Sequence, residues 1–171
     1  MTHALDGGIT VSTATIDDAA AICAIQNSVI AKSNAIFEES PRTLEQVEVW
    51  LTERLDGGWP VMLAKSEDGE VLGYGTFTHF RARDGYRYTV EHSVHVDDKY
   101  RGQGIGSMLL DALIDKARRE GFRVMVGAID GGNETSLMFH SKHGFAEVGR
   151  LPGVATKGGE DLDLVLMQRK L

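Results

Sequence analysis

Hydrophobic and polar positions in the first third of the chain predict one strand followed by two helices. Residues 9–14 form a short strand-like run, and the polar, acidic segment 15–18 then begins a helix that we expect to reach about Ala31. Residues 41–46 begin a second helix in the same manner, and it ends before Gly57. Both helices therefore precede the strands that make up most of the predicted sheet.

A β-hairpin follows the two helices. The apolar runs 61–64 and 71–80 flank residues 67–70, whose Asp-Gly pair is typical of a tight turn between antiparallel strands. Residues 86–96 predict a third strand, because apolar and polar residues alternate through its second half. This strand runs directly into a glycine-rich loop.

The last third of the chain alternates helices with strands. We predict a helix at 104–119, a strand at 124–129, a helix at 133–143 and strands near 145–150 and 161–168. The first of these helices carries its predicted core face on Ile105, Met108, Leu109, Ala112, Leu113 and Lys116. The order predicts a mixed α/β sheet with helices between the later strands. No repeat or long linker divides the chain, so residues 1–171 are expected to form a single domain.

Composition argues against several classes of function. Hydrophobic residues make up 42% of the chain and charged residues 25%, which is typical of a globular protein rather than a disordered one. The net charge of -7 argues against nucleic-acid binding. No long apolar stretch predicts a membrane span, and residues 1–8 lack the regions of a secretory leader, so a cytoplasmic protein is expected. The single cysteine, Cys23, is expected to be a packed helix residue.

The loop at residues 101–106, Arg-Gly-Gln-Gly-Ile-Gly, predicts an anion site. It joins a strand to a helix, where unpaired backbone N–H groups and the helix dipole favour negative charge, and glycine lets a ligand approach the backbone closely. A nucleotide-triphosphate loop would require a lysine after Gly106, and the dinucleotide fingerprint requires a different glycine spacing. A plain glycine-rich helix entry is the structural alternative.

The pattern Arg-x-x-Gly-x-Gly resembles the pyrophosphate-binding signature of the GCN5-related N-acetyltransferases (GNAT). In that family a splayed strand precedes the loop and binds the pantetheine arm, a later asparagine meets the same arm, and a Gly-Phe pair, here residues 144–145, follows. The resemblance implies acetyl-CoA as co-substrate and a central, mostly antiparallel mixed sheet of about seven strands with about four flanking helices. The residues that it expects at acetyl-CoA are Val94, His95, Val96, Arg101, Gly102, Gln103, Gly104, Ile105, Gly106 and Asn133.

Longer segments resemble one branch of that family, the phosphinothricin acetyltransferases and their relatives that act on methionine sulfoximine and methionine sulfone. The matching segments are residues 37–43, 81–91, 128–133, 149–152 and 167–169. This narrower resemblance covers nearly the whole chain. It implies a homodimer and a small, amino-acid-like acceptor for the acetyl group.

Two residues are the candidates for proton transfer during acetylation. Glu91 lies on the third strand of the sheet just before the expected cofactor residues, and its carboxylate could deprotonate an ammonium directly or through water. His140 lies about two helical turns beyond Asn133 and could act as an acid or a base near neutral pH. The alternatives are a solvated glutamate and a core histidine that packs beside Phe139 and Phe145.

The acceptor and the thioester carbonyl have candidate partners as well. Arg81 and Arg83 could bind the acidic groups of the acceptor, and the resemblance implies that Phe37 packs over it. A solvated arginine pair and a core phenylalanine are the alternatives. The backbone N–H of Val94 or Val96, left unpaired by a β-bulge, is expected to polarise the carbonyl. The histidines show no metal-ligand spacing, so no metal is predicted.

Two other functions stay open at this point. The chain could acetylate a different amine, such as a polyamine or a protein N-terminus, and the net charge of -7 would suit a cationic acceptor. It could also be a CoA-binding module without catalysis.

Overall fold

A computed structural model describes residues 8–171, and one seven-stranded sheet organises them. Its strands are β1 (Thr10–Thr13), β2 (Val61–Lys65), β3 (Val71–His79), β4 (Thr89–Val96), β5 (Val124–Asp130), β6 (Ala146–Lys157) and β7 (Glu160–Lys170). The strand order is β1-β2-β3-β4-β5-β7-β6, and all neighbours are antiparallel except β4 and β5. The helices are α1 (Ala19–Lys32), α2 (Leu44–Asp56), α3 (Ile105–Arg119) and α4 (Glu134–Lys142). The predicted mixed α/β sheet, with its strand and helix numbers, is confirmed.

The two faces of the sheet carry different helices. Helices α1 and α2 pack on one face, where Leu63 and Tyr74 join their hydrophobic cluster. Helix α3 packs on the other face, against Phe77 and Val90. Because side chains alternate along a strand, the odd-numbered residues of β4 point toward α1 and α2 and the even-numbered residues point toward α3. This alternation decides which site residues can meet.

Two predicted details of the strands and helices differ from the structure. Strand β4 begins at Thr89, because residues 84–86 form a short 3₁₀ turn. The core face of α3 includes the predicted Ile105, Leu109 and Leu113, but its other buried residues are Leu110, Ile114 and Ala117 instead of Met108, Ala112 and Lys116. The helix is apolar over more than one face, and packing against the sheet selects the row that is buried.

The final hairpin is longer than predicted. The predicted strand near 145–150 continues as β6 to Lys157, through a register shift between Leu151 and Ala155. Strand β6 is the edge of the sheet, where a proline costs no ladder hydrogen bond. The hairpin therefore reaches far enough to contact the segment after α1.

Lys157 ties the tip of this hairpin to the end of α1. Its Nζ donates hydrogen bonds to the carbonyl oxygens of Ile30, Ser33 and Ile36 at 2.9, 2.7 and 2.8 Å. A cation at a helix C-terminus satisfies carbonyls that have no partner within the helix. The contact holds in place the segment that carries Phe37.

The expectation of a packed cysteine is confirmed, since Cys23 is buried within α1. Among the helices of residues 8–171, none has the length and apolar character needed to cross a bilayer. The segment 1–7, on which the expectation of no secretory leader largely rests, lies outside the described residues.

Candidate active site

The parallel strands β4 and β5 separate halfway along their length. Their paired residues run from Thr89 opposite Val124 to His92 opposite Gly127, and the pairing ends there. Beyond this point β4 continues to Val96 while β5 pairs only with β7. The splayed strands predicted from the resemblance are therefore present.

The splay leaves backbone donors of β4 unpaired. Alternate amides of a strand point toward opposite neighbours. Since the N–H of Asp97 donates to Leu72 on the β3 side, the N–H groups of Val94 and Val96 point toward β5, which has moved away. The expected β-bulge was wrong, because β4 pairs with β3 in unbroken register from Val90 to Val96. The same two amides are free for a different reason, namely the divergence of β5.

A cavity of about 530 Å³ lies at the mouth of the splay. Its walls come from the second half of β4, the glycine loop, the start of α3 and the start of α4. The predicted cofactor residues that line it are Val94, His95, Val96, Arg101, Gly102, Gly104, Ile105, Gly106 and Asn133. Gln103 is exposed in the same loop and does not line the cavity. The segment after α1 contributes Ser33 and Ala35.

The glycine loop presents backbone rather than side chain to this cavity. Gly102 and Gly104 have φ angles of +78° and +80°, which L residues with a side chain rarely adopt. Gly104 is the N-cap of α3 and supplies no side-chain cap, so the first amides of the helix remain available. An array of amides at a helix N-terminus is suited to a diphosphate.

Replacing Gly104 by alanine should weaken CoA binding roughly tenfold, because alanine at this φ costs about 1–2 kcal/mol and relief of the strain moves the amides. Gly121, with φ +83° at the other end of α3, is the matched control, and a Cβ at either glycine would have open space. Gly121→Ala should lower the free energy of unfolding by a similar amount without changing CoA affinity. Calorimetric titration with CoA measures the affinity of each variant. Equal affinities would show that the loop is not part of the CoA site.

Glu91 lies on the opposite side of β4 from the α3 core, half-buried beneath α1 and α2. Burial raises the pKa of its carboxyl group above the ordinary value, and the positive charge of Arg81 partly opposes that rise. A carboxylate with a raised pKa is a better proton acceptor than a solvated one. The structure therefore brings Arg81 into the electrostatic range of Glu91.

The other residues predicted to bind the acceptor are exposed or half-buried and lie outside the cavity. Arg81 is exposed, with its guanidinium 4.9 Å from the centre of the Phe80 ring. Arg83 is exposed at the start of the 3₁₀ turn, and Phe37 is half-buried in the segment after α1. None of the three lines the 530 Å³ cavity, whose residues lie nearer the glycine loop.

His140 is buried and does not line the cavity. Its Nδ1 lies 2.7 Å from the carbonyl oxygen of Ser136, and its Nε2 lies 3.1 Å from Nε2 of His92. Burial is the main cause that lowers the pKa of His140. The ring also packs near Phe139 and Phe145, as the packing alternative expected.

Glu91 and His140 are not brought together. His140 meets His92, the even-numbered neighbour of Glu91, so the two candidates lie on opposite faces of β4. Sequence reasoning missed His92. Its only signal was its place on the inward-facing side of the same strand, and nothing in the sequence named a partner 48 residues away.

His95 is uncharged where it borders the cavity. Burial, together with the positive charges of Arg42 and Arg101, lowers its pKa to about 4. Its ring packs 5.5 Å from that of Tyr74. Over residues 8–171, no group of three or more His, Cys, Asp or Glu side chains could hold a metal ion.

Comparison with known proteins agrees with this geometry. The acetyltransferase (GNAT) family model matches residues 27–145, and the chain belongs to that family. It is an acetyl-CoA-dependent N-acetyltransferase, rather than a CoA-binding module without catalysis.

Several acetyltransferases are similar to this chain in sequence and structure. The L-methionine sulfoximine/L-methionine sulfone acetyltransferase of Pseudomonas paraeruginosa is 42% identical over 91% of each chain. The structure of a phosphinothricin acetyltransferase from Sinorhizobium meliloti in complex with acetyl-CoA has a TM-score of 0.91 and 32% identity, covering 96% of this chain and 89% of its own. A ribosomal-protein-alanine N-acetyltransferase from Brucella melitensis has a TM-score of 0.91 and 39% identity, covering 94% of this chain and 99% of its own.

Proposed function

We propose that this enzyme acetylates the α-amine of a small, amino-acid-like acceptor of the phosphinothricin, methionine sulfoximine or methionine sulfone type. The observation that carries the proposal is the placement of Glu91, a half-buried carboxyl with a raised pKa, within electrostatic range of the cation of Arg81. An α-amino acid presents an ammonium and a carboxylate on adjacent atoms. A base beside a cation suits that pair of charges.

In the proposed reaction, acetyl-CoA binds with its diphosphate on the amides of the loop at 101–106 and its pantetheine arm along the free edge of β4. Glu91 removes a proton from the acceptor ammonium, directly or through water. The neutral amine attacks the thioester carbon, and the carbonyl oxygen becomes negative. The N–H of Val94 or Val96 stabilises that charge, after which the C–S bond breaks and CoA leaves.

The acidic groups of the acceptor are the proposed partners of Arg81 and Arg83, and Phe37 is proposed to pack over its side chain. Arg81 is supported by its effect on Glu91. Arg83 follows two residues later on the same exposed segment. Phe37 is supported by the contacts of Lys157, which hold its segment against the end of α1.

We further propose that the chain works as one domain, in the cytoplasm where acetyl-CoA is made, and as a homodimer. The sheet that spans most of residues 10–170 supports one domain. Exposed apolar side chains on the edge strand β6, Val148, Leu151 and Val154, support association with a second copy. Neither nucleic acid nor a membrane is proposed as a partner.

A panel of acceptors tests the proposed substrate class. With acetyl-CoA, we expect kcat/KM for phosphinothricin, methionine sulfoximine or methionine sulfone to exceed that for spermidine by at least about tenfold, since Arg81 repels a polycation. Methionine sulfone carboxamide, which lacks only the carboxylate, is the matched control and should lose most of the rate. Turnover of spermidine alone would overturn the proposal.

A second candidate acceptor is a protein N-terminus, favoured by the likeness to the ribosomal-protein-alanine N-acetyltransferase structure. A peptide that begins with alanine belongs in the same panel. Its ammonium would still meet Glu91, but its first carbonyl lacks the negative charge that Arg81 is proposed to bind. Preference for the peptide over every free amino acid would favour this second function.

A further inference from the structure

Two imidazole rings form a buried pair on the α3 face of the sheet. His92 of β4 and His140 of α4 are each 7% exposed, and their Nε2 atoms lie 3.1 Å apart. The ring centres are 5.1 Å apart and the ring planes differ by 28°. A separation of 3.1 Å is a hydrogen bond, so one Nε2 carries a hydrogen and the other accepts it.

The backbone decides which nitrogen carries the hydrogen. Nδ1 of His140 lies 2.7 Å from the carbonyl oxygen of Ser136, and a carbonyl oxygen can only accept. In a neutral ring the proton of His140 is therefore on Nδ1, and its Nε2 is a bare lone pair. His92 must then donate its Nε2–H to His140. Its own Nδ1 is left unprotonated, which matches the absence of any hydrogen-bond partner for that buried atom within residues 8–171.

The pair sits where β4 and β5 begin to separate. His92 is opposite Gly127 in the last pair of the β4–β5 ladder. A Cβ on Gly127 would lie 3.2 Å from Nε2 of His92 and 3.3 Å from Nε2 of His140, so this glycine makes room for both rings. Phe145 closes the outside, with its ring centre 5.4 Å from each imidazole. Neither ring can turn without displacing a neighbour.

We propose that His92 is a positioning residue that binds the bare Nε2 of His140, while the Ser136 carbonyl keeps the proton on Nδ1, so that His140 stays uncharged, shapes the vertex of the splay and gives no proton to the departing sulfur. The inference rests on the proposed acetyl transfer and assigns the proton transfers within it. The attacking nitrogen must lose a proton to become an amide nitrogen, and the departing sulfur must gain one when the C–S bond breaks. In this assignment the sulfur receives the proton of that nitrogen, directly or through water.

Burial and neighbouring histidines oppose a positive charge on the pair, and they outweigh the Ser136 carbonyl, which raises the pKa of His140. His143 and His95 are the nearest titratable groups, and both oppose a positive charge on His92, as does His140 itself. Phe139, Phe145 and Gly127 provide no charge, and the carbonyl of Ser136 is already used by His140. Burial and these neighbours lower the pKa of His92 to about 3, and burial lowers the pKa of His140. An acid for the sulfur would instead need a protonated, accessible N–H.

Nitrogen-15 NMR of the imidazole rings tests the assignment directly on the whole protein, with and without CoA. Between pH 5 and pH 8 we expect His140 to show a protonated Nδ1 and a bare Nε2, and His92 to show the reverse. An imidazolium signal from His140 at pH 7, or a protonated Nε2 on His140, would overturn the proposal. This readout does not depend on which acceptor is acetylated, so it can fail or succeed independently of the proposed function.

Two substitutions of His92 separate positioning from packing. His92→Leu keeps an apolar side chain of moderate size and removes the donor, whereas His92→Gln keeps an N–H at similar reach. For the leucine variant we expect kcat to fall about tenfold with KM for acetyl-CoA within about twofold of wild type, because a released ring loses its orientation. The Nε2 nitrogen signal of His140 should also shift, because this atom loses its hydrogen-bond donor, while the Ser136 carbonyl keeps the proton on Nδ1.

The glutamine variant should regain most of that rate and the wild-type Nε2 signal of His140. An Nε2 signal of His140 and a kcat that both match wild type in His92→Leu would show that His92 does not position His140. Gly127→Ala is the second test if the leucine variant fails to fold. Its Cβ would push on both Nε2 atoms, so it should alter the nitrogen signals of both rings. Unaltered signals in a folded Gly127→Ala protein would argue against the pair as described.

Discussion

Replacing Glu91 by glutamine should slow acetyl transfer by about 100-fold or more while leaving the affinity for acetyl-CoA nearly intact. Glutamine keeps the shape of the side chain but cannot take a proton from an ammonium. Glu91 also lies outside the cavity that is proposed to hold the cofactor, so CoA binding has no reason to change. Stopped-flow or steady-state rates, with calorimetric titration of CoA, measure the two quantities separately.

The pH profile gives the control for this assignment. In wild type, kcat/KM should fall as pH drops through the pKa of Glu91, which burial raises and Arg81 lowers. Arg81→Met should therefore move this acidic limb to higher pH. Arg83→Met, the matched control two residues away, should leave the limb in place. If Glu91→Gln acetylates at the wild-type rate, another group is the base. The same conclusion follows if the acidic limb of kcat/KM does not move in Arg81→Met.

The second large effect is a loss of stability in mild acid. Burial lowers the pKa of His92 to about 3 and that of His95 to about 4, from about 6.5 in the unfolded chain. Below pH 6.5 the unfolded chain therefore binds protons that the folded protein does not, so the free energy of unfolding must fall as pH falls. Two histidines together should cost on the order of 4 kcal/mol between pH 6.5 and pH 4.5.

Other groups change the size of this effect but not its window. The raised pKa of Glu91 opposes the loss, because the folded protein then binds a proton more readily than the unfolded chain. Asp18 and Glu38 have lowered pKa values, so their contribution is lost mainly at lower pH than that of the histidines. Urea unfolding at half-unit pH steps measures the whole curve.

Substitution of His95 identifies the source of the slope. His95→Gln should flatten the fall by up to about 1.4 kcal/mol per pH unit above pH 4.5, which is the effect of one proton. His79→Gln changes an exposed histidine on β3 and should leave the slope as in wild type. A stability that stays constant from pH 6.5 to pH 4.5 would mean that these rings are not held neutral by the fold.

The proposed site uses both faces of one strand. The acceptor chemistry is assigned to Glu91 and Arg81 beneath α1 and α2, whereas the histidine pair lies on the α3 face. Between them, the amides of Val94 and Val96 lie in the plane of the sheet, where a thioester carbonyl could reach them. The splay therefore exposes amides of β4 to the cofactor cavity, between the proposed acceptor residues on one face and the buried histidine pair on the other.

The sequence by itself determined the parts of this protein that depend on local chemistry. The Asp-Gly turn of the β2–β3 hairpin, the strand-to-helix loop at 101–106 and the order of strands and helices were predicted from neighbouring residues alone. Glycine spacing and the dipole of a helix start act within a few residues. The loop residues predicted in this way line one cavity, except Gln103, together with the residues of β4 and Asn133 that the family resemblance implied.

Only the tertiary structure decided what depends on residues far apart in the chain. Packing across the sheet decides which residues of α3 are buried and which ring contacts His140. It also brings Arg81 near enough to Glu91 to oppose the rise that burial causes in the pKa of that carboxyl group. The unpaired amides of β4 were expected from a bulge but arise because β5 diverges after Gly127. The Ser136 carbonyl keeps the proton of His140 on Nδ1, and His92, 48 residues away in the chain, contacts its Nε2. No local sequence pattern predicts a contact between residues so far apart.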